Sequence, residues 1–115
     1  MRKTLSDSQI DPKALAAIES FHANIVTEVE KAIQSNDVVV VGMRQNPVCK
    51  KARRILDEKG AKYQYLEYGS YFSMWKQRLA IKLWSGWPTY PQVFHKGKLI
   101  GGASDLEAYI AAGKI

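Results

Sequence analysis

The chain has a single cysteine, Cys49. An intrachain disulfide is therefore excluded, and so is a metal cage built only from the cysteines of one chain. Long apolar runs are missing too. None, the valine run at residues 38–41 included, approaches the ~20 residues that a membrane-crossing helix needs. No membrane partner is expected. Acidic side chains are the minority charge, 11 Asp and Glu against 17 Lys and Arg, which leaves a formal net charge of +6. Such a balance attracts anions in general and does not by itself make nucleic acid a partner. Repeats, low-complexity tracts, a Walker loop, a GxGxxG turn and zinc-ligand spacing are all absent. No apolar h-region follows Met1-Arg2-Lys3, which argues against a secretory signal and makes a reducing, cytoplasmic setting the expectation.

What is present reads as one globular domain. Of the 115 residues, 46% are hydrophobic and 24% charged, ordinary values for a chain that builds its own core. Residues 1–10 read as a loose, flexible arm and residues 11–115 as the domain. Asp11-Pro12 is a helix-start signal, because Asp caps and Pro fits the first helical position. Ile18, Phe21, Ile25, Val29 and Ala32 then share one helical face, which predicts a single N-terminal helix that stops near Asn36. Val38-Val39-Val40-Val41 is apolar without alternation, the pattern of a central strand covered on both faces. After a polar turn and Pro47, the stripe Val48, Ala52, Ile55, Leu56 marks a second helix, ended by Gly60. Residues 62–68 read as an aromatic-rich strand. Phe72, Trp75, Leu79 and Leu83 mark an apolar stripe of a third helix, closed by Ser85-Gly86. A hairpin across Lys96-Gly97 and a last helix, opened by the capping box Ser104-Asp105-Leu106-Glu107, complete the order. An early strand–helix–strand unit requires a right-handed crossover and parallel pairing. The expected fold is α/β: a four-stranded mixed sheet with helices on both faces.

Three segments sharpen this expectation. Asn46-Pro47-Val48-Cys49-Lys50-Lys51-Ala52 follows the buried strand and resembles the Cys-Pro-Tyr-Cys turn of glutaredoxins. Trp87-Pro88-Thr89-Tyr90-Pro91-Gln92-Val93-Phe94 resembles the segment around that family's cis-proline, most closely the Trp-Pro-Thr form of monothiol glutaredoxins. Gly97-Lys98-Leu99-Ile100-Gly101-Gly102-Ala103-Ser104-Asp105 is similar to the glycine-pair segment that holds the γ-glutamyl end of glutathione in the family. Together they cover residues 36–115 and imply a thioredoxin/glutaredoxin fold with an extra N-terminal helix. The departure lies in the first segment. With Ala52, Ile55 and Leu56 aligned to the family helix, Asn46 takes the place of the first cysteine, the family's nucleophile, and Cys49 that of the second. A competing register, which fits the apolar pattern less well, makes Cys49 the first cysteine.

Two roles are open to Cys49. Helix-terminal amides, with Lys50, Lys51, Arg53 and Arg54 nearby, would lower its pKa and make it a nucleophile. Alternatively it is a half-buried thiol at the resolving position, packed against its helix. The resemblance further implies glutathione-binding roles. Arg78 would pair with the glycine carboxylate, with Lys82 one turn on, and Arg44 lies near the family's lysine, whose own position reads Met43. Asn46 lines the turn, Tyr90 before cis-Pro91 would offer its backbone to an added strand, and Gly102, Ala103 and Ser104 would direct N–H groups at a carboxylate. His22 and His95 read as exposed or satisfied side chains, Tyr71, Phe72, Trp75 and Trp84 as core and rim aromatics, and no metal ligand is expected. Three functions follow from the resemblance: a thiol–disulfide redox protein acting with glutathione or glutathionylated proteins through Cys49; a redox-inactive glutathione- or peptide-binding module; or a glutathione-dependent carrier of a 2Fe–2S cluster.

Overall fold

The computed structural model describes residues 2–115; Met1, in the expected N-terminal arm, lies outside them. A short 3₁₀ turn at Asp7–Gln9 precedes α1 (Pro12–Ser20) and α2 (Ala23–Ser35). Then follow β1 (Val38–Gly42), α3 (Pro47–Lys59), β2 (Gln64–Glu67), α4 (Trp75–Ser85), β3 (Gln92–His95), β4 (Lys98–Gly101) and α5 (Ala103–Ala111). The four strands form one sheet in the order β2-β1-β3-β4. β1 and β2 run parallel, and the other two pairings are antiparallel. This is the four-stranded mixed α/β sheet that the sequence pattern predicts, and it agrees with the fold that the resemblance implies.

The four valines explain the centre of the sheet. Residues alternate across a strand, so Val39 and Val41 face one side and Val38 and Val40 the other. Both sides are dry. Val39 and Val41 pack with Val29 of α2 and Ile81 of α4, whereas Val38 and Val40 pack with Ala52 and Leu56 of α3 and Leu106 of α5. A fully buried side chain of this size contributes about 1.5–3 kcal/mol, which makes β1 the energetic spine of the domain.

The helix expected over residues 11–36 is two helices. His22 adopts a left-handed conformation (φ 46°, ψ 41°) and separates α1 from α2. The apolar stripe runs through this break, and neither glycine nor proline marks it. The Phe21 and His22 rings meet edge-on, with centroids 4.8 Å apart. Arg2 in the arm donates from Nη1 to the Ser85 carbonyl at 3.3 Å, at the C-terminal end of α4 where a cation suits the helix dipole.

The third predicted apolar face points outward, not inward. Phe72 is 95% exposed and precedes α4; Trp75, Leu79 and Leu83 are exposed along it. The inward residues are Arg78, Ala80 and Ile81. Leu79 and Ile81 are two residues apart, so they lie about 200° around the helix axis and only one can face the sheet. The inward choice is fixed by the Trp84 ring, whose centroid is 6.0 Å from that of Phe94, and by Arg78, which finds its carbonyl partners inside.

The orientation of α4 predicts an asymmetry in urea unfolding. Ile81→Ala is expected to cost about 2–5 kcal/mol. Leu83→Ser and Phe72→Ser are expected to stay within about 0.5 kcal/mol of wild type, because their side chains are already in water.

Candidate functional site

β1 ends at Gly42 beside the start of β3, since Val41 pairs with Gln92. The turn after β1 therefore lies next to the Tyr90–Pro91 peptide, which is cis. β4 returns alongside β3 and ends at Gly101, which pairs with Val93. The three segments singled out from sequence thus meet at one end of the sheet.

The turn enters α3 through Gln45, a non-glycine residue in the left-handed region (φ 62°). Asn46 is the N-cap of α3, and Pro47 opens the helix. Asn46 Oδ1 accepts from Val48 N–H at 2.9 Å and from Cys49 N–H at 3.0 Å. These are first-turn amides without partners inside the helix. A thiolate at position 46 would draw on the same donors; here a neutral carboxamide oxygen occupies them.

Cys49 is 1% exposed. Its thiol packs under β1: a Cβ placed on Gly42 would fall 2.9 Å from Cys49 Sγ and 3.0 Å from the Tyr65 ring. Tyr65, Met43 and Tyr90 complete the enclosure. Burial pushes the Cys49 pKa up; a backbone hydrogen bond with Met43 opposes this, and the Glu67 carboxylate adds to the rise. Desolvation penalises the thiolate more than the Met43 hydrogen bond favours it. The expectation of a lowered pKa at Cys49 is therefore reversed, and the enclosed thiol matches the packed, resolving-position alternative. The surrounding cations do not offset burial. Arg53 lies over the Tyr65 ring at 4.1 Å, and Lys51 approaches Glu107 at 3.8 Å.

Arg78 is also placed differently from its expected role. It is 7% exposed, and Nη1 donates to the carbonyls of Tyr68 (2.8 Å) and Ser73 (2.6 Å). It braces the loop between β2 and α4 instead of presenting an open cation to a carboxylate. Its own carbonyl accepts from Tyr90 Oη at 2.6 Å, which locks the buried Tyr90 ring beside cis-Pro91. Arg44 is exposed; its N–H donates to the Gly69 carbonyl at 2.7 Å, and its Nε lies 3.8 Å from Glu67. Lys82 Nζ lies 5.6 Å from the Tyr90 ring centroid.

At the third segment the capping residue is Gly102, not Ser104. Asp105 Oδ2 accepts from Gly102 N–H at 2.9 Å, so α5 begins at Ala103 and Ser104 stands exposed in its first turn. Gly101 is required here: its φ is +116°, and a Cβ would strike the Asp105 carboxylate. Gly102 faces the Pro91 carbonyl and the Trp87 indole; a Cβ there would lie 3.6 Å and 3.9 Å from them. Trp87 Nε1 is buried without a hydrogen-bond partner among the described residues. Sequence reasoning missed Gly42, Tyr65 and this indole. The only available signal was a glycine straight after a β-branched run, which often marks close approach.

Comparison with known proteins fits this geometry. The glutaredoxin family model matches residues 38–100. The chain belongs to the glutaredoxin family. A Dictyostelium discoideum glutaredoxin-like protein is 56% identical over 88 residues, covering 76% of this chain and 72% of the relative. A Ricinus communis glutaredoxin is 32% identical over 90 residues, covering 78% of this chain and 88% of its own. The crystal structure of a buckwheat glutaredoxin–glutathione complex superposes with a TM-score of 0.73 at 27% identity, over 84% of this chain and 87% of that one. In this glutaredoxin Asn46 caps the turn and the one thiol, that of Cys49, is buried beneath it.

Capping differences between the two helix starts are measurable by urea unfolding. Asn46→Ala is expected to cost about 0.5–2 kcal/mol, because two amides lose their acceptor. Ser104→Ala, which removes no cap, is expected to stay within about 0.5 kcal/mol. Gly42→Ala must displace Cys49 and Tyr65 and is expected to cost about 1–3 kcal/mol.

Proposed function

We propose that this domain is a binding module for glutathione, or for the glutathionyl arm of a modified protein, that performs no thiol chemistry of its own. The observation that carries this reading is the pairing of Asn46 with a buried Cys49: the half-buried turn position holds a carboxamide, and the only thiol lies behind it. Nucleophilic attack requires an accessible thiolate, and Cys49 is enclosed and stays protonated at neutral pH.

The groove itself has the chemistry of a peptide carboxylate site. Gly102, its own N–H held by Asp105, caps a nine-residue helix whose next N–H groups, those of Ala103 and Ser104, favour an anion together with the helix dipole. The unpartnered Trp87 indole N–H beside Gly102 is a further donor. cis-Pro91 and Tyr90 form the wall between this helix start and the Asn46 turn, and a tripeptide lying along it would pair with the Tyr90 backbone as an added strand. Exposed Arg44 supplies a cation at the opposite end. The buckwheat relative, seen in complex with glutathione, supports glutathione as the ligand. A 2Fe–2S cluster fits these residues poorly: cluster ligation needs a thiolate at the surface, and the one thiol is buried. Among the described residues, no group of three or more His, Cys, Asp or Glu side chains is placed to hold a metal ion. No helix among them is long and apolar enough to cross a membrane. A reducing, cytoplasmic compartment, where reduced glutathione is abundant, suits this reading.

Two measurements test it together. Reduced glutathione titrated into labelled protein is expected to shift the amides of Tyr90, Gly102, Ala103 and Ser104. In glutathione-coupled reduction of a small mixed disulfide, wild type and Cys49→Ser are expected to match the blank. Asn46→Cys, with its sulfur on the Val48 and Cys49 amides, is expected to gain turnover. Turnover by wild type that disappears in Cys49→Ser would make Cys49 the catalytic thiol and overturn the proposal.

A further inference from the structure

A second concave surface lies outside the glutathione end. α1, α2 and α4 enclose a groove of about 530 Å³, walled by Ile18, Phe21, Val26, Leu79, Leu83 and Trp84. Two of its aliphatic side chains remain in water, Ile18 at 57% and Leu83 at 67% exposure. They belong to the α4 stripe that the sequence reserves for a core and the fold turns outward, and to the helix that faces it. α1 itself is nine residues long and buries none of them. A helix of that length is marginal in water and gains its stability from a surface to pack on.

Charge narrows what that surface meets. In a chain of net charge +6, the only ionisable groups in the groove wall are Glu19 and Glu30. An anionic lipid surface would be repelled by both carboxylates. So would a second copy in a two-fold contact, which brings the same patch against itself. A segment with an apolar stripe bordered by cations satisfies both features of the wall.

We propose that the groove between α1, α2 and α4 docks an amphipathic helix of a partner protein, its apolar stripe flanked by Lys or Arg. Leucines at i, i+3/i+4 and i+7 of such a helix fill the space between Ile18 and Leu83, and its cations meet Glu19 and Glu30. This places a recruitment surface on the outer helical layer, separate from the Asn46 turn and the start of α5. The groove can therefore hold a partner whether or not glutathione occupies the other end.

The test uses the full chain, isotopically labelled, and two synthetic helical peptides with the same leucine stripe, one flanked by lysines and one by glutamates. The lysine peptide is expected to shift the amides around Ile18, Phe21, Leu79 and Leu83 and to raise amide protection along α1. The glutamate twin is expected to bind at least about tenfold more weakly. Glu19→Lys with Glu30→Lys is expected to reverse the preference, and Leu83→Asp to abolish binding with an unchanged far-UV spectrum. The proposal is overturned if neither peptide shifts these residues or if both bind equally. It is also overturned if the chain self-associates through this face, or if anionic vesicles shift the same amides in place of the peptide. Glutathione shifts at Tyr90 and Ser104 report on the other site, so failure of one proposal is distinguishable from failure of the other.

Discussion

Asn46 Oδ1 holds the backbone N–H groups of Val48 and Cys49, and the rest of the site depends on those two bonds. They fix where α3 starts and the direction in which Cys49 leaves the helix. With the helix set there, the thiol has one place to go, the space that Gly42 leaves open beneath Tyr65. The same bonds consume the donors that would hold negative charge at position 46. A helix N-terminus that stabilises a thiolate when sulfur stands at the cap becomes, with an amide oxygen there, a closed and neutral corner.

The scaffold is maintained by groups that the sequence suggests for other work. Arg78 spends its guanidinium on the Tyr68 and Ser73 carbonyls, and its own carbonyl secures Tyr90. The β2–α4 loop, α4 and the cis-proline segment are therefore one braced unit. Tyr68 Oη donates to Glu28 Oε1 at 2.5 Å and ties α2 into the same unit. Asp105 does the equivalent service at α5 by holding Gly102. Bracing of this kind would lower the ordering cost of binding at the proposed glutathione site.

The architecture was readable in the sequence because it is written in local patterns. The valine run, the Pro47 helix start, the hairpin at Lys96-Gly97 and the Pro91 segment each act over a few residues, and each lies where its pattern indicates. What could not be read depends on direction. Trp75, Leu79 and Leu83 have helical spacing, but spacing does not say which side of α4 meets the sheet, and Ile81 with Trp84 takes that side. The resemblance singles out Arg78 without revealing that its charge turns inward. The break at His22 leaves no mark because both helices share one apolar phase. The capping box expected at Ser104 lies two residues too late, since Asp105 serves Gly102. For Cys49, the competing influences of dipole and burial are both visible in principle, but only the position of Gly42 decides between them.

The account rests on the inaccessibility of the Cys49 thiol, and the direct measurement is the intact mass of the native protein after incubation with oxidised glutathione. The account predicts an unmodified chain under native conditions and a glutathionyl adduct at Cys49 once the chain is unfolded in denaturant. An adduct that forms on the native protein as fast as on the unfolded chain would contradict it and return Cys49 to the surface as a working nucleophile.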